Sequence, residues 1–447
     1  MSLFAIRNKF IPCGKVRLPG DKSIAHRALI VSALCRGKTE IKNFPVHDDS
    51  LSTLNVLSAL GARIERKEGS LSVFGAGFLK KPRKALFAGD SGTTLRLMLG
   101  VLSGLDFETR ISAGKYLSLR PMARVNKPLR LMGAEITSRR SRLEEYPPMK
   151  VKGGGLKGIT YIPPVASAQV KSAILLAGLY ASGRTKVIER VATRDHTERM
   201  LKFFGAKIVS GKKSVTLDPS GVLSSPGSIY IPGDISSAAF LAVLAAVIPG
   251  SRVTIEAVCL NPSRCGVISA LKKMGAKILV RPYSGKNALH CPEPAGDIIV
   301  SGGRLKGINI SARQVPSLID ELPVLMVAAC FAEGRTMIRG AGELRVKETD
   351  RIHSMSSNLS SMGASIRLSG SGRSEAIVID GKGSLDGARL KSFGDHRTAM
   401  SALVAALGAK GNSKIDDISC IGKSFPGFLA VLDKLAGRRW KDMPGRS

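Results

Sequence analysis

Cations stand where helices should begin, and that placement is the first chemical signal in the chain. Gly20-Asp21-Lys22-Ser23, Gly89-Asp90-Ser91-Gly92, Gly233-Asp234-Ile235-Ser236 and Gly394-Asp395-His396-Arg397 each precede an apolar run with helical spacing. Taken singly, each is an ordinary N-cap. Two copies add cations beside the cap, Lys22 with Arg27 and His396 with Arg397. A helix N-terminus already carries free N–H groups and partial positive charge, so a cation there disfavours the helix unless an anion compensates. The pattern predicts anion sites at helix starts. In Val346-Lys347-Glu348-Thr349-Asp350-Arg351, Lys347 and Arg351 share a face if the run is helical, with Glu348 turned roughly 100° away. The same run also reads as a surface salt-bridge face.

The elements that must position these residues repeat. A large apolar residue followed by Gly-Ala-x-Ile occurs at Leu60-Gly61-Ala62, Met132-Gly133-Ala134, Phe204-Gly205-Ala206, Met274-Gly275-Ala276 and Met362-Gly363-Ala364. A degenerate sixth copy is Leu435-Ala436-Gly437. The intervals are about 70 to 90 residues. Glycine ends a helix in the left-handed conformation, and Ala-x-Ile opens a strand with one apolar face. Upstream spacing is helical, as in Ile352, Met355, Leu359 and Met362. A second family of helices interleaves with the first, ending at Gly37, Gly104, Gly183, Gly250, Gly334 and Gly411.

Each unit is therefore close to β-α-β-α-β-β, repeated six times, which gives an α/β (α+β) chain. Six units exceed one ordinary core, and two groups of three fit domain sizes better. The sixth unit lacks a closing strand after Gly437, where the tail turns polar and basic, and the N-terminal segment can supply it. The expected domains are 1–19 plus 233–447, discontinuous, and 20–232, inserted, with crossings at Pro19-Gly20 and Pro232-Gly233.

Composition sets the outer limits. With 447 residues, 44% of them apolar, and mean hydropathy +0.09, the chain reads as globular. The longest apolar run, Ala238–Ile248, falls short of the ~20 residues a membrane span needs. Strand-like sequence begins almost at once after Met1, so no targeting peptide and a cytoplasmic address are expected. The seven scattered cysteines show no zinc-ligand spacing and read as reduced, mostly buried thiols. A net charge of +34 raises nucleic-acid binding, but the basic residues are dispersed and aromatics are only 5%. Neither a nucleic-acid nor a membrane partner is expected.

Eight segments in order carry a family resemblance. They are Leu18-Pro19-Gly20-Asp21-Lys22-Ser23-Ile24-Ala25-His26-Arg27, Gly89–Arg96, Leu119-Arg120-Pro121-Met122, Val165-Ala166-Ser167-Ala168-Gln169-Val170-Lys171-Ser172, Thr193–Glu198, Ile319-Asp320-Glu321-Leu322-Pro323, Arg345–Arg351 and Gly394–Arg397. Together they resemble the 5-enolpyruvylshikimate-3-phosphate synthase family of enolpyruvyl transferases, across nearly the whole chain. The resemblance implies a two-domain inside-out α/β barrel with three repeats per domain, and an interdomain cleft for two small phosphorylated acids. The implied substrates are phosphoenolpyruvate and shikimate-3-phosphate, with no metal or organic cofactor and a monomeric chain.

Carried over residue by residue, the resemblance implies that Lys22, Gly92, Arg120, Gln169, Arg351, Arg397 and Lys423 bind phosphoenolpyruvate. Shikimate-3-phosphate falls to Lys22, Ser23, Arg27, Ser167, Ala168, Gln169, Arg194, Asp320 and Lys347. Glu348 is the expected proton donor and acceptor at C3, and Asp320 the base at the 5-hydroxyl, with Lys22 as its partner or alternative. Asp90-Ser91 stands where many members have Asn-Ala, and Leu97 where others have Pro; both bear on inhibitor sensitivity. Two other readings share the fold, a transferase loading enolpyruvyl onto a UDP-amino sugar and a basic nucleic-acid-binding protein. The first uses a loop cysteine, and Ser112–Arg120 contains none.

Overall fold

The computed structural model describes residues 3–7, 9–370 and 375–437; the basic stretch after Gly437 lies outside them. Among the described residues there are twelve α-helices. They are α1 (Lys22–Leu34), α2 (Asp48–Ala59), α3 (Gly92–Ser103), α4 (Ala123–Leu131), α5 (Ala168–Gly178), α6 (His196–Phe203), α7 (Ile235–Val247), α8 (Gly266–Lys273), α9 (Leu322–Cys330), α10 (Arg351–Ser361), α11 (His396–Gly408) and α12 (Phe428–Ala436).

The odd- and even-numbered helices differ in kind. Every residue of α9 is buried, as is α7 from Ile235 through Ala246. Runs such as Ala238-Ala239-Phe240-Leu241-Ala242-Val243 are apolar on all sides, and such a helix is stable only when surrounded. By contrast α10 buries Ile352, Met355 and Leu359 along one stripe and leaves His353 and Ser360 in solvent. The interior of each unit is thus helical, with three odd-numbered helices packed together: α1, α3 and α5 in one unit, α7, α9 and α11 in the other. Six small sheets cover them.

The sheets repeat one plan, seen plainly in Leu86–Phe87, Glu108–Ser112, Glu135–Ser141 and Glu144–Lys152. The first two pair in parallel, and the last is antiparallel to both the second and the third. The repeat glycines Gly61, Gly133, Gly205, Gly275, Gly363 and Gly437 all have φ between 72° and 113°. Any side chain there would be strained, which is why the motif recurs with glycine. In the second family Gly104 differs, with φ −86° as the cap of α3. Its requirement is space, since a Cβ there would come 2.1 Å from the Tyr180 ring. Gly37 and Gly334 do not end their helices: α1 stops at Leu34 and α9 at Cys330, and both glycines already lie within the following strands.

The chain forms two compact units. One contains the chain up to Pro19, Gly233–Ala288 and the chain from Pro294; the other contains Gly20–Pro232 with Leu289–Glu293. They are called here the terminal and inserted units. The short excursion 289–293 is tied to the inserted unit by its chemistry. Tyr230 N donates to His290 O at 2.9 Å, and His196 Nδ1 lies 2.7 Å from Glu293 Oε1.

Each unit closes on itself with strands from its chain ends. In the inserted unit Ser228–Tyr230 pairs in parallel with Glu40–Lys42. In the terminal unit Cys13–Arg17 pairs in parallel with Arg252–Glu256. Phe4–Ile6 lies antiparallel to Ser413–Ile415, in the position that the last strand of the plan holds in the other sheets. All seven cysteines are free; Cys13 is exposed, Cys265 and Cys291 are half-buried, and the other four are buried.

Candidate active site

In the inserted unit the predicted residues gather at the first turns of α1, α3 and α5. Asp21 caps α1, its carboxylate accepting from Ile24 N at 3.0 Å, and this leaves Lys22 and Ser23 at the helix entrance. Lys22 Nζ is 2.8 Å from Asp49 Oδ2 on α2. Burial acts to raise the Asp49 carboxyl, but Lys22 outweighs it and holds the group below the usual range.

Arg27, one turn further along α1, is buried and held on three sides. Nε donates to Thr197 Oγ1 at 2.7 Å, Nη1 to Ser23 O at 2.8 Å and Nη2 to Ser172 Oγ at 2.8 Å. Burial lowers its guanidinium to about 10, so it stays charged at neutral pH with only neutral oxygens as hydrogen-bond partners.

The entrance of α3 supplies a different surface. Ser91, not Asp90, caps this helix, accepting from Thr94 N. Asp90 instead accepts from Tyr116 N and Leu117 N, both at 2.9 Å, and anchors the turn that ends at Arg120. A Cβ on Gly92 would stand 2.8 Å from Arg96 Nη1 and 3.4 Å from Arg120 Nη1. Two guanidinium groups therefore converge on the bare first residue of a helix, where N–H groups and dipole also favour an anion. Arg96 Nη1 donates to Gln169 Oε1 at 2.7 Å, and Gln169 Nε2 donates to Thr93 Oγ1 at 3.0 Å, so α3 and α5 fix each other's first turns. Ser167 caps α5 and Ala168 is its first residue. Arg194 immediately precedes the cap of α6.

A second cluster occupies the terminal unit. The α10 helix begins only at Arg351, because Asp350 Oδ1 accepts from both Ile352 N and His353 N and fixes the helix start there. Lys347 is extended and Glu348 lies in the turn before the helix, so the expected helical face shared by Lys347 and Arg351 does not exist. The turn instead folds Glu348 back onto Arg351, with Nη2 2.5 Å from Oε2.

Arg351 is buried; Nε donates to Asp395 Oδ2 at 3.0 Å, and Nη1 is 3.9 Å from Asp320 Oδ1. Burial disfavours its charge, but Glu348, Asp395 and Asp320 overcome that and raise its pKa. Lys347 is pushed down by burial, against the pull of Asp320.

Asp320 does not cap α9. Its carboxylate faces Arg351, Arg397 at 3.9 Å and Arg264 at 4.0 Å. Arg397, in the first turn of α11 behind its cap Asp395, donates through Nη1 to Asp320 O at 2.7 Å. Lys423 ends the short Ser419–Lys423 turn that packs on α11 and is exposed.

Several residues of these clusters have no role in the sequence reading. Arg264 donates to Ser236 Oγ at 2.6 Å and lies 3.5 Å from Asp234 and 3.7 Å from Glu321. Nothing in Asn261-Pro262-Ser263-Arg264 marks it. Asp49 sits in an Asp48-Asp49 pair that resembles any acidic helix start. Arg96 was findable: it lies one turn after Gly92, on the same face. No group of three or more His, Cys, Asp or Glu able to hold a metal occurs among the described residues.

In chemical terms, both clusters pair helix entrances with arginines, a combination suited to carboxylates and phosphates. The terminal cluster adds carboxylates able to exchange protons. The family model for EPSP synthase (3-phosphoshikimate 1-carboxyvinyltransferase) matches residues 13–432. A 3-phosphoshikimate 1-carboxyvinyltransferase of Desulforamulus reducens is 46% identical over 426 residues, covering 94% of this chain and 96% of that one. One from Syntrophomonas wolfei is 46% identical over 428 residues, covering 94% and 97%. The solved EPSP synthase of Acinetobacter baumannii superposes with TM-score 0.87 at 41% identity, covering 97% of this chain and 98% of that one. On the match from residue 13 to 432 and these identities, the chain belongs to the EPSP synthase family.

Proposed function

We propose that the chain transfers the enolpyruvyl group of phosphoenolpyruvate to the 5-hydroxyl of shikimate-3-phosphate and releases phosphate, a step of the shikimate pathway. The observation that carries this reading is the cluster of Asp320 and Glu348 among Lys347, Arg351 and Arg397. Two acidic groups set among cations can move protons on a substrate that those same cations hold.

In this reading the inserted unit holds the acceptor through Ser23, Arg27, Ser167, Ala168, Gln169 and Arg194. The donor contacts are Lys22, Gly92 N–H, Arg120, Gln169, Arg351, Arg397 and Lys423. The 5-hydroxyl oxygen attacks C2 of phosphoenolpyruvate and gives its proton to Asp320, while Glu348 delivers a proton to C3. The product of addition is a tetrahedral ketal with a methyl group. Glu348, now a carboxylate, then removes a methyl proton. The C2–O bond to phosphate breaks, phosphate leaves with the proton held by Asp320, and the enol ether forms. Glu348 must carry a proton before the addition and recover one in the elimination, so closure from water must raise its affinity for it. Orienting the two substrates together can contribute ~7–11 kcal/mol of the barrier.

The UDP-amino-sugar alternative lacks its acid, since Ser112–Arg120 offers no cysteine. The test is phosphate release from phosphoenolpyruvate with and without shikimate-3-phosphate. Release only when both are present is expected; release without the acceptor, or none with both, overturns the reading. The space at Gly92 also predicts that glyphosate competes with phosphoenolpyruvate. Insensitivity at millimolar glyphosate would assign the altered pocket to Asp90-Ser91 or Leu97.

A further inference from the structure

Lys171 is the fourth residue of α5, and 2% of its side chain is exposed. Its ammonium is 2.7 Å from Glu198 Oε1 on α6 and 2.8 Å from Glu189 Oε2, just past the strand Thr185–Ile188. A lysine so deeply placed must be paired, and this one is paired twice. Burial alone would lower its pKa, yet the two glutamates raise it above the ordinary value.

Both carboxylates lead to acceptor groups. The other oxygen of Glu189 accepts from Thr193 N at 3.1 Å and from Thr193 Oγ1, and Lys171 Nζ reaches Thr193 O at 3.5 Å. The exposed turn Arg190-Val191-Ala192 is therefore closed from beneath, and its last tie lies one residue before Arg194. On the other side, Glu198 is the carboxylate that most favours the charge on Arg27. The hydroxyls gripping Arg27 belong to Ser172 and Thr197, neighbours in sequence of Lys171 and Glu198, and lie 2.6 Å apart. One buried ammonium thus sits behind both arginines assigned to the acceptor, while the contacts that fix Gln169, to Arg96 and Thr93, do not involve it.

We propose that Lys171 is a positioning residue for the acceptor half of the reaction, holding Arg194 through Glu189 and Thr193 and Arg27 through Glu198 and the Ser172–Thr197 pair. The proposal rests on the acceptor reading above and sorts the two substrates. Without the ammonium, Glu198 and Glu189 lose the cation they share and one must protonate or move. The turn before Arg194 then loosens, and donor contacts remain.

Lys171→Met should raise KM for shikimate-3-phosphate tenfold or more and leave KM for phosphoenolpyruvate within about twofold, with Lys171→Arg recovering most of the loss. Thr193→Ala, at the half-buried end of the turn and outside the apolar core, should raise only the acceptor KM, by about threefold. Hydrogen exchange of the 190–195 amides, read without any substrate, should quicken at least tenfold in Lys171→Met. If wild-type chain releases no phosphate with shikimate-3-phosphate, the acceptor reading fails, and exchange alone judges the clamp. Equal rises in both KM values, or unchanged exchange in a folded Lys171→Met chain, would overturn the proposal.

Discussion

Arg27 in the inserted unit is gripped by Thr197, Ser172 and the Ser23 carbonyl, whereas Arg351 in the terminal unit meets Asp395, Glu348 and Asp320. Both arginines are buried, so the difference lies in what each leaves for a ligand. A guanidinium satisfied by neutral oxygens keeps its charge available to an incoming anion. One ringed by carboxylates meets a ligand with its charge largely balanced, and besides reaching the donor it holds those carboxylates in place. The inserted cluster is accordingly built to bind, and the terminal cluster to hold the carboxylates that move protons beside the cations that bind.

That contrast breaks first at Glu348. Glu348→Ala should lower kcat by about a thousandfold, in the range typical for loss of a general acid or base, measured as phosphate release. Retention of more than a tenth of the rate would remove it from proton transfer.

Arg27→Met should act on the opposite side. Removing charge-assisted bonds of ~1.5–3 kcal/mol each predicts a rise of about a hundredfold in KM for shikimate-3-phosphate, with little change for phosphoenolpyruvate. An unchanged acceptor KM would reduce Arg27 to a packing role.

Acid should separate the units next. His26 is fully buried, its Nδ1 2.6 Å from Thr53 Oγ1, and burial lowers its pKa to about 3. His47 in the same unit is lowered to about 4, again mainly by burial. Both pKa values are depressed on folding, so their stability contribution is whole above about pH 6.5, the unfolded value, and declines as pH falls toward the folded values. From pH 6.5 to 5, His26 alone should cost about 2 kcal/mol. Hydrogen exchange should show the inserted unit loosening before the terminal one, and His26→Gln should flatten the slope. Simultaneous loosening of both units would contradict this.

The smallest expected effect is at Arg96. Because it fixes Gln169, assigned to both substrates, and borders Gly92, Arg96→Met should raise KM for phosphoenolpyruvate about tenfold, the size of one lost charge-assisted bond, and the acceptor KM by less. Equal changes for both substrates would mean that α3 and α5 move as a whole.

Features dictated by local chemistry were legible in the sequence. Glycines at left-handed helix ends marked the six repeats, and the apolar run of α7 marked a helix that must be surrounded. Asp21, Asp234 and Asp395 cap their helices as such residues do. Competition between neighbouring groups was harder to read. Asp350 captures two backbone N–H groups and starts α10 one turn later than the Lys347–Arg351 spacing suggests, and Asp90 leaves the α3 cap to Ser91 in order to hold the turn before Arg120. Long-range partners were least visible. Asp49, Arg264 and Lys171 matter because distant segments meet around them, and no local spacing records that meeting.

The division between binding and proton transfer is tested most directly by calorimetric titration of Glu348→Ala with shikimate-3-phosphate. A dissociation constant within about threefold of wild type, in a chain that no longer turns over, is the predicted result. Loss of acceptor affinity as large as that of Arg27→Met would contradict the account, because Glu348 would then be part of the binding machinery.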